Sequence, residues 1–292
     1  MSKYVYTNGM RVVMEGIEPE SYPVPQHCEL IGIQLPRLCY HDQSSIAGNC
    51  RMCMVELSTS AKPVIACSTE ITAGMQIYTD SATIRYAREN VPEFLLINHP
   101  SDCPICDQGG ECDLQDFSLM HGSDRGRFSE DKRTVLDTSF GASIKGIMTR
   151  CIHRTRCVRY LAEIVGSASV GTVGRGSDTE IMYMADMPYT NIAGNVIDIR
   201  PVGALTSRPY SFACRPWELL SVESIDILDG LCSNITIDCR GAEIMRILPR
   251  ANSILNIDRI TDKIRFCHDG PKVQRIVSPM RRDLAGVLHI CS

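Results

Sequence analysis

Ser44-Ser45-Ile46-Ala47-Gly48-Asn49-Cys50-Arg51-Met52-Cys53 is the stretch on which the reading of the fold turns. Two thiols separated by two residues can aim both sulfurs at one centre. The small residues around Gly48 suit a loop whose backbone N–H groups must come close to sulfur. Cys39 before it and Cys67 after it complete the spacing Cys-x10-Cys-x2-Cys-x13-Cys. Upstream, Tyr4-Val5-Tyr6-Thr7, Asn8-Gly9 and Arg11-Val12-Val13-Met14 predict a hairpin, because both turn positions need φ > 0. Residues 24–33, with apolar Val24, Leu30, Ile31 and Ile33, predict a short helix crossing that hairpin, and Met52–Leu57 and Pro63–Ala66 the returning strands. The fold class is α+β, opening with a small β-grasp domain over residues 1–80.

Three thiols on one loop with the fourth on a later strand is the arrangement of plant-type [2Fe–2S] ferredoxins, here with a longer first gap. A zinc site or unrelated buried thiols are the alternatives. A second constellation lies in Asn98-His99-Pro100-Ser101-Asp102-Cys103-Pro104-Ile105-Cys106-Asp107-Gln108-Gly109-Gly110-Glu111-Cys112, spaced His-x3-Cys-x2-Cys-x5-Cys. A helix over 82–97, with Ile84, Ala87, Val91 and Leu95 on one face and an interruption at Pro92, would deliver the chain to His99. Gly109 and Gly110 let the backbone turn back so that Cys112 reaches the same centre. By itself this set fits zinc or a [4Fe–4S] cluster, and the ferredoxin-like motif upstream favours the cluster. A neutral imidazole in place of a thiolate removes one negative charge and favours the reduced state. We assign residues 81–122 to this helical segment.

The third constellation is incomplete. Cys151-Ile152-His153-Arg154-Thr155-Arg156-Cys157 looks like the Cys-x2-Cys-x2-Cys run of bacterial ferredoxins with Arg154 at the middle position. Arg200-Pro201 looks like the remote Cys-Pro that supplies a fourth ligand, again with Arg where Cys belongs. Guanidinium stays protonated and offers iron no lone pair, so two of four ligands remain in this bacterial-ferredoxin-like domain over 123–216. Two buried guanidinium groups would need acidic partners, for which Glu163 and Asp198 are the nearby candidates. Arg and Cys codons differ by one C-to-T change, so C-to-U editing of the transcript would restore both ligands.

The remaining features set bounds. A net charge of −4 gives no electrostatic case for nucleic acid, and no apolar run reaches the ~18–20 residues that span a bilayer. Met1–Gly16 has neither a hydrophobic signal core nor a transit-peptide composition. Fifteen cysteines in that setting point to a reducing compartment and to metal binding rather than disulfides. From Arg125 to Arg159 nine Lys/Arg stand against three Asp/Glu, either a solvated face or a charge offset for thiolate-bound clusters. Cys28, Cys214, Cys232, Cys239, Cys267 and Cys291 match no cluster spacing and are expected to be mostly buried structural thiols. No P-loop, dinucleotide fingerprint or Ser/His/Asp signature is present, so we expect no catalytic residues and no nucleotide site. Residues 217–292 alternate apolar and polar positions in the manner of an all-β section.

Cys39–Cys67, Asn98–Asp116, Met148-Thr149-Arg150-Cys151, Gly174-Arg175-Gly176, Pro201–Pro209 and Arg215-Pro216-Trp217-Glu218-Leu219 together resemble the large iron–sulfur subunits of respiratory complex I, NADH:ubiquinone oxidoreductase. The resemblance covers essentially the whole chain. It implies a [2Fe–2S] cluster on Cys39, Cys50, Cys53 and Cys67, and a [4Fe–4S] cluster on His99, Cys103, Cys106 and Cys112. It also implies a second [4Fe–4S] site of which Cys151 and Cys157 remain beside Arg154 and Arg200. Residues 217–292 would be the truncated start of a molybdopterin-oxidoreductase-like domain, without the further cluster of some bacterial members, because Cys232 and Cys239 do not make its Cys-x2-Cys-x3-Cys run. The implied partners are a flavin/NADH-binding subunit, a small [2Fe–2S] subunit and quinone-side iron–sulfur subunits. Membrane association would come only through the complex, on the matrix side of the mitochondrial inner membrane or the cytoplasmic side of a bacterial one. An NAD-reducing hydrogenase or formate dehydrogenase subunit, and a non-conducting scaffold, are the competing readings.

Overall fold

A computed structural model describes residues 4–13, 22–184, 190–270 and 276–291. Met14, the expected end of the opening hairpin, lies outside them. The chain divides into two compact units, Met1–Pro216 and Trp217–Ser292.

In the first unit, β1 (Tyr4–Thr7) and β2 (Met10–Val13) pair antiparallel across Asn8-Gly9, with Asn8 at φ 50° and Gly9 at φ 82°. The helix α1 (Val24–Leu30) follows with Val24, Pro25, His27 and Cys28 buried. The strands β3 (Met54–Leu57), β4 (Val64–Ile65) and β5 (Gln76–Tyr78) complete a mixed sheet of order β2-β1-β5-β3-β4, in which β1 and β5 run parallel. Its core is Val5, Val24, Val55, Ile71 and Ile77, with Cys53 and Cys67 among them. Buried His27 is satisfied by Thr7 Oγ1 at 3.1 Å, a structural role.

The helix α2 (Ala82–Leu96) starts at Ser81, whose Oγ accepts from the Ile84 N–H at 3.3 Å. It runs through Pro92 instead of being interrupted there. Pro92 is buried on the stripe it shares with Ile84 and Arg88, so packing offsets the lost N–H. The loop from His99 leads into α3 (Asp113–His121), which packs against α2. The ribbon β6 (Ile144–Gly146) with β9 (Leu205–Ser207), and β7 (Val170–Val173) with β8 (Glu180–Tyr183), frame α4 (Arg156–Arg159) and α5 (Val196–Ile199). A second core gathers Leu38, Met52, Leu114, Phe140, Tyr160, Leu161, Val196 and Leu205 together with Cys39, Cys50, Cys112, Cys151 and Cys157. Cys39 and Cys50 thus belong to one core and Cys53 and Cys67 to the other, which puts the first thiol set at the seam between them.

The second unit is the antiparallel meander β10 (Leu220–Ile225), β11 (Asn234–Arg240), β12 (Glu243–Pro249), with a bulge at Asp238/Cys239. It is not purely β: α6 (Asp262–Phe266) is capped by Thr261 and buries Ile264 against Ile235 and Ile247. A pair β13 (Met280–Arg282) and β14 (Leu288–Ile290) follows. Among the described residues no helix is long and apolar enough to cross a membrane.

Ile84 is wholly buried, so Ile84→Ala should cost ~2–5 kcal/mol, against ~1 kcal/mol for the cap variant Ser81→Ala. Denaturant unfolding followed by circular dichroism measures both. Equal losses would mean that the cap, and not the core, sets the position of α2.

Candidate metal-cluster sites

Four thiols of the first set lie within 2% of full burial: Cys39, Cys50, Cys53 and Cys67. They touch one another. Hydrogen bonds from the Cys50 and Cys67 thiols lower Cys39 well below the ordinary thiol range, and one from Cys67 lowers Cys53. The donors Cys50 and Cys67 are pushed up in turn by their hydrogen bonds to Cys39, and then by burial. Backbone N–H groups of Asn49 and Cys50 reach Cys39, and those of Ala66 and Cys67 reach Cys53. Arg51 at φ 60° and Gly48 at φ 62° give the loop the curl this needs. Four buried sulfurs in mutual contact, wrapped by amide donors, fit a group that brings positive charge and takes four thiolates.

The second set is more open. Cys103 begins a tight turn whose hydrogen bonds, Cys106 N–H to Cys103 O at 3.3 Å and Gly109 N–H to Cys106 O at 3.0 Å, wind the loop inward. Cys112 stands at the start of α3, buried, its thiol pushed up to about 11 by that burial. Cys103 is exposed and Cys106 half-buried. His99, Cys103, Cys106 and Cys112 all line one cavity of about 430 Å³, with Gly109, Arg150 and Gly203. His99 Nδ1 is buried there without a hydrogen-bond partner. Burial, helped by Lys132 and Arg150, lowers the imidazole to about 4, which keeps it neutral and its lone pair free. A Cβ on Gly203 would collide with Cys106 Sγ. An orphaned imidazole nitrogen, three thiols and a cradle that only glycine permits fit a [4Fe–4S] group.

The third set does not fit as written. Arg200 is buried and sends Nη1 to Cys157 Sγ at 3.3 Å and Nη2 to Cys151 Sγ at 3.2 Å. Arg154 turns instead to Asn49 O at 2.8 Å. The expectation that Glu163 serves one of these two cations is corrected: Glu163 accepts from Ser45 N–H and Oγ, and Arg200 donates to the thiols. Only about 10 Å³ remains open among Cys151, Arg154, Cys157 and Arg200. Of the six other cysteines only Cys28 is buried, so the expectation that most are core thiols is also corrected. Among the described residues no group of three or more His, Cys, Asp or Glu is arranged to hold a single metal ion.

One layer of the sites escaped the sequence reading. Arg159 donates to Cys39 O and Ser45 O, and Arg156 to Tyr40 O at 2.8 Å and Ile199 O at 3.1 Å. Lys132 donates to His99 O at 2.8 Å, and Arg215 to Cys106 O at 2.6 Å. Arg150 reaches Asp102 at 3.1 Å. Part of the basic run from Arg125 to Arg159 therefore points inward. Its targets lie up to 120 residues away, and no local pattern marks such a tether.

Buried thiol sets in ferredoxin-like settings define an iron–sulfur protein, and comparison agrees. A 2Fe-2S iron–sulfur cluster binding domain matches residues 20–82, and the NADH-ubiquinone oxidoreductase-G iron–sulfur binding region matches 88–127. The ferredoxin-like domain of NADH-quinone oxidoreductase subunit 3 matches 141–206, and an NDSU1/NuoG-like 4Fe-4S domain of NADH-ubiquinone oxidoreductase matches 219–269. The 75 kDa subunit of NADH-ubiquinone oxidoreductase from Reclinomonas americana is 53% identical over 96% of this chain and 40% of its own length. The mitochondrial iron–sulfur protein 1 of NADH dehydrogenase (ubiquinone) from Solanum tuberosum is 54% identical over 92% and 36%. A crystal structure of an NAD+-reducing [NiFe]-hydrogenase in the H2-reduced state superposes with TM-score 0.63 at 24% identity, covering 73% of this chain and 91% of that one, a likeness of fold. The chain belongs to the family of the 75-kDa iron–sulfur subunit of NADH–ubiquinone oxidoreductase, and spans 40% or less of the length of these curated relatives.

Gly203→Ala should leave the [2Fe–2S] absorption in place and lose about four of roughly six irons per reconstituted chain. Iron and sulfide assays measure this, and full iron content in the variant would contradict the cradle.

Proposed function

We propose that this chain is an electron-carrying subunit of an NADH:ubiquinone oxidoreductase, passing electrons from a flavin-bearing partner toward quinone-side iron–sulfur partners. The observation that supports it best is the pairing of two complete ligand sets, Cys39/Cys50/Cys53/Cys67 and His99/Cys103/Cys106/Cys112, in one compact unit. When bound, a [2Fe–2S] and a [4Fe–4S] cluster would each supply a one-electron redox change without moving substrate atoms. The protein's part is to hold the ligands rigid, exclude water from the first set and offer amide and cationic donors to a site whose negative charge changes. Cys39 and Cys67, wholly buried, bind in a dry setting, and exposed Cys103 lies where a neighbouring subunit could approach.

The partners we infer are a flavin/NADH-binding subunit, a small [2Fe–2S] subunit and the quinone-side iron–sulfur subunits, with the chain in the peripheral arm on the matrix face of the mitochondrial inner membrane. The mitochondrial relatives support that location. We read Trp217–Ser292 as the entry to a molybdopterin-oxidoreductase-like domain; its three-stranded meander supports this. Cys232 is exposed and Cys239 lies on β11, a pair too sparse for a further cluster.

Cys50→Ser should abolish one axial EPR signal of the dithionite-reduced chain and spare the other centre; zinc in place of iron at this site would refute the assignment. His99→Cys should retain its cluster at a lower midpoint potential, because a negative charge is added. An unchanged potential would make His99 a bystander. Incubated alone with NADH, the chain should not reduce ferricyanide, and turnover at the rate of a flavoenzyme would overturn the division of labour proposed here.

A further inference from the structure

Part of the wall of the second cavity comes from outside the ligand loop. Arg150 lines it together with His99, Cys103, Cys106, Cys112 and Gly203. The residue closes the tight turn Met148–Arg150 and is buried, only 3% exposed. Cys151 follows it in sequence, yet its side chain lines the second cavity and is absent from the lining of the third. The sequence reading attached Met148-Thr149-Arg150-Cys151 to the third constellation; the fold turns Arg150 toward the second.

One edge of this guanidinium is used and the other is not. Nε and Nη2 both donate to Asp102 Oδ2 at 3.1 Å. Asp102 opens the turn that carries Cys103, since its carbonyl accepts from the Ile105 N–H at 2.9 Å. The pair thereby clamps the ligand loop to a residue 48 positions away. Nη1 is buried with no hydrogen-bond partner among the described residues. Other arginines of this unit differ: on Arg154, Arg156 and Arg159 the unpartnered atom is Nε, while Nη groups donate to backbone carbonyls. A charged donor kept from water without a partner is costly. The orphaned Nη1 therefore suits an acceptor that enters the cavity, and the sulfur of a negatively charged centre is such an acceptor.

We propose that Arg150 raises the reduction potential of a cluster held by the second set, its buried Nη1 donating to sulfur of that centre. This inference rests on the reading of His99, Cys103, Cys106 and Cys112 as the ligands. One-electron reduction adds one negative charge to the site. The guanidinium keeps its proton throughout, and no bond at Arg150 forms or breaks. A fixed positive charge and an N–H donor both favour the more negative state. Asp102 opposes this, but its carboxylate is 36% exposed and is screened more strongly than the buried guanidinium. Arg150 and His99 thus act in one direction: the imidazole brings no negative charge, and the guanidinium offsets part of what the three thiolates bring.

EPR-monitored redox titration of the full chain, reconstituted anaerobically, tests this with the [2Fe–2S] signal as internal reference. Arg150→Gln should keep its iron and lower the [4Fe–4S] midpoint by about 59 mV, a tenfold change in the one-electron equilibrium, while the [2Fe–2S] midpoint holds. Arg150→Lys, which keeps the charge, should recover most of that fall. Asp102→Asn removes the opposing charge and should move the same midpoint upward. An unchanged [4Fe–4S] midpoint in Arg150→Gln, or an equal fall at both centres, overturns the proposal. Should Arg150→Gln lose its cluster, Asp102→Asn decides: a rise upholds the proposal, and a fall, no change or loss of iron there leaves Arg150 a structural clamp and overturns it. Binding of only about two irons by the unaltered chain would defeat the ligand reading itself, and this inference with it. Full iron with an unmoved midpoint defeats this inference alone, so the two failures are distinguishable.

Discussion

Cations donating to the carbonyl oxygens of ligand loops hold the first unit together. A thiolate removed from water is costly unless positive charge or hydrogen-bond donors are brought to it. Here the donors come from far along the chain. Arg159 clasps Cys39 O and Ser45 O, Arg156 clasps Tyr40 O, Lys132 clasps His99 O and Arg215 clasps Cys106 O. Each bond fixes the backbone beside a sulfur or an imidazole and places a guanidinium or ammonium group near charge that a bound cluster would carry. The 39–53 loop and the α4 segment are thereby locked as one body, which explains why Cys39 and Cys50 share a core with Tyr160 and Leu205.

The same scaffolding reaches the three sites with different results. The first offers four buried sulfurs in mutual contact, the second a roomy cavity with an unpartnered imidazole nitrogen. The third has a ligand-type loop, strained φ values included, but almost no open volume. Backbone conformation and side-chain content agree at the first two sites and disagree at the third. Natural sequences are normally consistent across such levels, so a local conflict of this kind points to chemistry rather than to packing.

Much of the fold was legible from short-range pattern. Asn8-Gly9 marked the hairpin, whose Tyr6↔Arg11 and Thr7↔Met10 register follows from the two-residue turn, and the spacing of Ile84, Ala87, Val91 and Leu95 marked α2. The ligand sets were legible because metal chemistry imposes spacing on a loop. The parallel pairing of β1 with β5 was not, since Tyr6 and Gln76 are joined by no local signal. Pro92 carries a helix-breaking signal, and the burial that offsets its lost N–H is a tertiary feature that no local pattern shows. The short helix α6 hid in a stretch read as strand-rich, where Thr261 and Ile264 carry the cap and the anchor. Gly203, invisible beside Val202 and Ala204, matters only because Cys106 lies against it.

In the proposed assignment one site takes four sulfurs and the other three sulfurs and an imidazole. Pulsed EPR of the reduced chain reads that difference directly. Nitrogen hyperfine coupling from a single imidazole is expected on the [4Fe–4S] signal, with none of that strength on the [2Fe–2S] signal. No imidazole coupling on either signal, or a diamagnetic zinc protein with no signal at all, would contradict it.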